Sequence, residues 1–243
     1  MKSGEIKVPS RSEEEDMALI EQEVPPLIAG DFLSRNEFLR RWEAMPHLKR
    51  AELIRGVVYM PSPLSREHGS TDLNVAAWLG VYKAATPGCE ALSNATWLMS
   101  EEESPQPDTS LRILPEFGGQ SRTEDRYAAG APEFLAEVCI SRTAYDLHQK
   151  MEVYQEAGVR EYLAVLMRER EVRWHQWADG RFEVVPALAD GVYRSAVFPG
   201  LWLDAAALLA GDLARVLSVL QDGIRTPEHQ QFVEQLATRR GTS

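Results

Sequence analysis

At 243 residues, 44% hydrophobic and 26% charged, the chain can bury a substantial core, and it carries neither a bilayer-length apolar run nor a charged-then-apolar secretory start. A soluble, cytoplasmic protein with no membrane partner is therefore expected. The net charge of -11 opposes a protein that grips phosphate backbones through a broadly basic surface, and Cys89 and Cys139, without Cys-x-x-Cys spacing, argue against a disulfide framework or structural zinc.

In chain order, residues 1 to 30 are polar and acidic and reach Pro25-Pro26, which predicts a flexible arm. Ser34 and Glu37 then stand at capping-box spacing, with Phe38, Leu39, Trp42 and Met45 on one helical face before Pro46. "AELIRGVVYMP" reads as two short strands turning at Gly56. Residues 66 to 86 have helical spacing through Leu73, Ala76, Ala77, Leu79 and Tyr82, ending near Pro87-Gly88. "CEALSNATWLM" and "DTSLRIL" predict strands on either side of the loop "SEEESPQP", and residues 115 to 132 look irregular. "PEFLAEVCI" is the most convincing buried strand in the chain.

A helix over residues 143 to 157 follows, stopped at Gly158, then the strand "EYLAVLM" and a strand pair turning at Asp179-Gly180. After a turn region at Pro199-Gly200, two helices are expected over residues 204 to 221 and 227 to 239. The first carries Leu209, Leu213, Val216, Leu217 and Leu220 as an apolar stripe suited to a core or to a dimer contact. Strands interleaved with helices predict an α/β or α+β protein whose sheet is covered by helices.

Glu137 stands inside the buried strand, where a lone carboxylate is costly unless it is paired, hydrogen-bonded or bound to a metal. Asp108, at the start of another strand after Pro107, supplies a second acid. Two carboxylates from adjacent strand ends form a hard oxygen site for Mg²⁺ or Mn²⁺. Lys150 is the natural third partner, able to orient water and neutralise charge developing on a phosphate. Asp146, Lys150 and Tyr154 recur at i, i+4 and i+8, so they share one face of the helix that follows Glu137. The plainer alternative is an exposed Asp146–Lys150 helix pair and a routine Pro-Asp turn. His68, in "SREHGS", is either a phosphate contact or proton relay, or an ordinary helix-start residue. Cys139 and His148 lack an oxyanion-hole signature, which disfavours a thiol nucleophile, and no phosphate-binding loop or dinucleotide fingerprint is present.

Taken in order, "ELIRGVVYMPSP…H", "QPD", "EFLAEVCISRTAYDLHQKMEVYQEAGVREYLAV" and "FPGLWLD" resemble the Uma-type endonuclease family of the PD-(D/E)XK restriction-endonuclease-like superfamily. The resemblance runs from about residue 33 to residue 209. It implies a mixed central sheet flanked by helices over residues 31 to 209, followed by a helical extension over residues 210 to 243. It also implies divalent-metal-dependent phosphodiester hydrolysis of nucleic acid, with DNA the expected substrate and a homodimer a further implication. The family's positions fall on Glu52, His68, Asp108, Glu137 and Lys150, with Ser141, Asp146, Tyr154, Gly158 and Tyr162 supporting them. Asp108 and Glu137 would hold the metal. Lys150 would position water and stabilise the phosphate, and Glu52 and His68 would support that site. Glu52 could alternatively be a solvated strand residue paired with Arg55 or Lys49. Cys139 occupies the place of the superfamily's usual lysine, so that role passes to Lys150. Together with the negative charge and the extra C-terminal helices, this substitution motivates a competing expectation: a non-catalytic homologue acting as an interaction or nucleic-acid-binding module.

Overall fold

The computed structural model describes residues 24–60, 63–139 and 145–240, with the side chains of residues 145–147 excepted. Ser141 and the side chain of Asp146, two of the expected supporting positions, lie outside the described residues, as do the first 23 residues of the expected arm. Residues 24 to 30 pack against the chain: Leu27 is buried, and the Gly30 N–H donates to the Val58 carbonyl at 2.8 Å.

Helix α1, Arg35–Glu43, begins at Ser34, whose hydroxyl accepts from the Glu37 N–H, and buries Phe38. Strands β1, Glu52–Ile54, and β2, Val57–Tyr59, form an antiparallel hairpin. Its two turn residues, Arg55 and Gly56, both have positive φ, as a two-residue turn that matches strand twist requires. Helix α2, Arg66–Ala85, is capped by Ser65 and buries Val75, Trp78, Leu79 and Tyr82. Strands β3, Cys89–Ser93, and β4, Trp97–Leu98, follow, then β5, Thr109–Ile113. The stretch 115 to 132 is more ordered than its composition predicts: a 3₁₀ turn, Pro115–Phe117, precedes a hairpin of β6, Arg122–Glu124, and β7, Tyr127–Ala129. The hairpin is hard to read because its strands are three residues long and its turn residue is Asp125 at positive φ, with no Asn-Gly or Asp-Gly signal.

The central layer is β8, Phe134–Cys139, β9, Glu161–Leu166, β10, Glu171–Ala178, and β11, Arg181–Val185, joined to β5 and β3. The six strands run in the order β11-β10-β9-β8-β5-β3. Within this sheet β8 and β9 are the pair that runs parallel, across the crossover helix α3, Tyr145–Ala157. Both of these strands are buried along nearly their whole length, which accounts for their unbroken apolar runs.

A small pair, β12, Val192–Arg194, and β13, Trp202–Asp204, leads into the C-terminal helices. The expected single helix over residues 204 to 221 is two: α4, Ala205–Ala210, and α5, Leu213–Ile224. Gly211 in the left-handed conformation ends the first, and the Asp212 side chain caps the second. Helix α6, Pro227–Arg240, closes the fold. One face of the sheet packs on α2, α4, α5 and α6 around Trp78, Phe134, Leu163 and Trp174, and the other on α3 around Leu135, Tyr154 and Tyr162. The α3 side holds Glu137, Lys150 and Tyr154.

Candidate active site

Glu137 owes its position to strand alternation. Thr109 pairs with Ala136 across β5 and β8, so one step further out Asp108 lies opposite Glu137, on the face covered by α3. The Val138 N–H donates to Asp108 Oδ2 at 2.8 Å, fixing one carboxylate to the backbone of the other acid's strand. Both acids are buried, each about 6% exposed.

The compensation that Glu137 requires comes from α3. Lys150 Nζ donates to Glu137 Oε1 at 2.9 Å, and one helical turn on, the Tyr154 hydroxyl donates to the same oxygen at 2.6 Å. Lys150 also reaches Glu52 Oε1 at 2.8 Å. Glu52 is brought there by its hairpin, which docks on α3 through Arg55 and Glu156 at 2.6 Å and through Tyr59 and Gln149 at 3.1 Å. The plainer partners for Glu52 are engaged elsewhere: Arg55 with Glu156, and Lys49 with the Pro46 carbonyl. The Gln106 N–H donates to Glu52 Oε1 at 2.7 Å, tying the hairpin to the loop that leads into Asp108.

His68 lies in the first turn of α2, its N–H bound by Ser65, and its Nε2 is 3.5 Å from Asp108 Oδ2. All five expected residues, Glu52, His68, Asp108, Glu137 and Lys150, are thus linked through direct contacts or adjacent strand positions. Tyr154 joins them, and the Tyr162 ring packs 5.5 Å from the Tyr154 ring. Sequence reasoning did not find Arg50, whose guanidinium is 3.5 Å from Asp108 Oδ1, nor Asp72, whose Oδ1 is buried without a hydrogen-bond partner. Both had a legible signal: Arg50 precedes Glu52 by the two-residue period of extended chain, and Asp72 follows His68 by one helical turn. His148 is exposed on α3.

Electrostatically the two strand acids differ. Burial raises the pKa of Asp108, but the His68 contact, the Val138 N–H and the charges of His68 and Lys150 outweigh it and leave the carboxyl below its ordinary range. Burial pushes Glu137 up to about 7; the Lys150 charge opposes this, and Asp108 and Glu52 reinforce it. Burial also works against a charged Lys150, yet Glu137 and Glu52 hold its ammonium above the ordinary lysine range. The Asp108 contact raises His68 against burial, and burial with the Asp108 charge lifts Asp72 to about 6.

The donor set suits a hard cation of the Mg²⁺ type. Among the described residues, Glu137 and Glu52 each accept their bonds on Oε1, leaving Oε2 outside them, and Asp108 Oδ1 meets the Arg50 contact. Among the described residues, no three acid, histidine or cysteine side chains converge as a ready metal cage. A cation that keeps several waters and takes one or two carboxylates fits such a set; a fully protein-coordinated ion does not.

A mixed sheet with helices on both faces, its parallel pair β8 and β9 joined by the crossover helix α3, gives the chain the restriction-endonuclease-like fold class. In overall fold the chain is similar to a crystal structure from Anabaena variabilis described as "a putative nuclease belonging to DUF820", with a TM-score of 0.50 at 15% identity, over 70% of this chain and 98% of that one. A comparison with curated proteins gave no match. The model of the Uma2 family, described as "Putative restriction endonuclease", matches residues 35–206, and the chain belongs to that family.

Proposed function

We propose that the protein is a Mg²⁺- or Mn²⁺-dependent nuclease that hydrolyses phosphodiester bonds in nucleic acid, with DNA as the substrate. The observation that carries this reading is Lys150, held between Glu52 and Glu137 beside Asp108 at the strand ends.

A bound divalent cation would supply an activated water and charge neutralisation at the phosphate. Asp108 and Glu137 would hold it through the oxygens that their protein bonds leave over. Lys150 is held protonated by its two acids, so it acts as a fixed positive charge that orients water and stabilises the phosphate as charge builds, rather than as a base. Glu52 fixes the Lys150 ammonium from the hairpin side. His68 holds Asp108 in its ionised form. Tyr154 steadies Glu137 by donating to the oxygen that Lys150 also uses.

The test is cleavage of supercoiled plasmid and of single-stranded DNA with Mn²⁺, Mg²⁺ or EDTA, for the wild type beside Asp108→Ala and Glu137→Ala. Metal-dependent cutting that both substitutions abolish is expected. Wild-type activity in either variant would overturn the assignment. No cutting, together with no rise in melting temperature at millimolar Mn²⁺, would favour the non-catalytic interaction module instead. Pairing of two copies to cut two strands is a further proposal, checked by sedimentation with and without DNA.

A further inference from the structure

Arg50 is the least committed cation of the cluster. Lys150 makes two ion pairs at 2.8 and 2.9 Å and is 14% exposed; Arg50 is 26% exposed and has one contact, 3.5 Å from Asp108 Oδ1. Among the described residues, no hydrogen bond reaches its guanidinium. Other arginines near the hairpin are held tightly, Arg55 to Glu156 at 2.6 Å and Arg41 to Glu37 at 2.6 Å. A guanidinium presents five donors in a planar fork that matches a phosphate bidentately, and Arg50 leaves most of them unused. Its one partner is the Asp108 oxygen that no other described donor takes.

From this geometry we infer that Arg50 is a phosphate-binding residue that pairs with Asp108 and transfers to a nucleic-acid phosphate when a divalent cation binds that carboxylate. The inference rests on the metal-site reading above. Arg50 and a divalent cation compete for Asp108 Oδ1, because two positive groups cannot share one carboxylate oxygen without repulsion. Once the Asp108 charge is neutralised, Arg50 loses its one ion-pair partner and keeps only the longer-range attraction of Asp72, so its charge is available to a phosphate. Cation binding and nucleic-acid binding are therefore coupled through one side chain, each favouring the other. In a chain of net charge -11, this coupling confines phosphate binding to the site.

The experiment compares wild type with Arg50→Gln and Arg50→Lys. Mn²⁺ affinity is measured by calorimetry without nucleic acid, and affinity for a short fluorescent single-stranded oligodeoxynucleotide is measured in Ca²⁺ and in EDTA. Arg50→Gln removes the competitor and should bind Mn²⁺ several-fold more tightly. It should bind the oligonucleotide in Ca²⁺ about tenfold more weakly, the size expected for a lost charge-assisted contact. Arg50→Lys, which keeps the charge without the fork, should fall between the two. Equal melting temperatures in EDTA would show that Arg50 is not a folding residue. Unchanged Mn²⁺ affinity, or unchanged oligonucleotide affinity, in a folded Arg50→Gln overturns the inference about Arg50 and leaves the metal site standing. Failure of every protein, wild type included, to bind Mn²⁺ overturns the metal-site reading and this inference with it.

Discussion

Lys150 neutralises two carboxylates in a place where water screens little, so removing it leaves Glu52 and Glu137 facing each other's charge. Lys150→Ala should cost about 3–5 kcal/mol, the penalty for a buried charge left without its partner. Urea denaturation at neutral pH would measure it, and the double variant with Glu137→Ala should lose less than the sum of the single losses. Tyr154→Phe is a milder probe. It removes a 2.6 Å donor to a buried acid, with an expected cost of about 1.5–3 kcal/mol, and because that donor lowers the Glu137 pKa, its loss should raise the pKa further. Carboxyl titration by NMR in both proteins checks the direction.

Between elements, two close approaches set how the C-terminal half sits on the sheet. One is Gly223 of α5, where an added Cβ would stand 2.4 Å from the Gly200 carbonyl oxygen and 2.7 Å from the Trp202 ring, so no side chain fits without moving α5 off β13. Gly223→Ala should therefore destabilise by about 1–3 kcal/mol, read from the denaturation midpoint. The other is Glu161, at the start of β9, which accepts from the Ser195 hydroxyl and, at 2.9 Å, from the Ala196 N–H, pinning the sheet to the segment before β13. Burial pushes this carboxyl up to about 7. The native state then keeps a proton that the unfolded chain releases near pH 4.5. The contribution to stability is full below about pH 4.5 and is lost as pH rises through about 7, on the order of 3 kcal/mol across the interval. Relative to Glu161→Gln, the wild-type melting temperature should fall between those pH values; parallel curves would refute it.

Across the whole molecule, α6 is built into the core that the sheet shares with α2. Phe232 and Leu236 belong to the same buried cluster as Tyr82 and Phe198, and His229 meets the Thr86 hydroxyl at 3.0 Å. Ending the chain at residue 226 should therefore lower stability by more than about 3 kcal/mol, since it strips two large apolar side chains from a packed interior. Calorimetric melting of the shortened protein checks this. No helix among the described residues is long and apolar enough to cross a membrane.

Most local signals were legible in the sequence by itself. Ser34 marks a helix start because its hydroxyl meets the N–H three residues on, and the unbroken apolar runs of β8 and β9 follow from burial on both faces. Glu137 was legible as an acid that needs a partner, because an unpaired carboxylate in such a strand is too costly. Only the tertiary structure decided which partner it has. Lys150 and Tyr154 reach it because α3 folds back over β8, and Glu52 joins because a hairpin some hundred residues away in sequence docks on that helix, held by Arg55 and Glu156. The spacing of Arg50 from Glu52 and of Asp72 from His68 was legible, but not that either charge meets Asp108. Charges on separate elements acquire meaning only when packing removes the water between them, and spacing along one chain does not encode that. The split at Gly211 had a local signal, a left-handed glycine followed by the Asp212 cap, that the apolar stripe running across it masked. The short hairpin around Asp125, by contrast, was decided by packing, since strands of three residues carry too little pattern to be read.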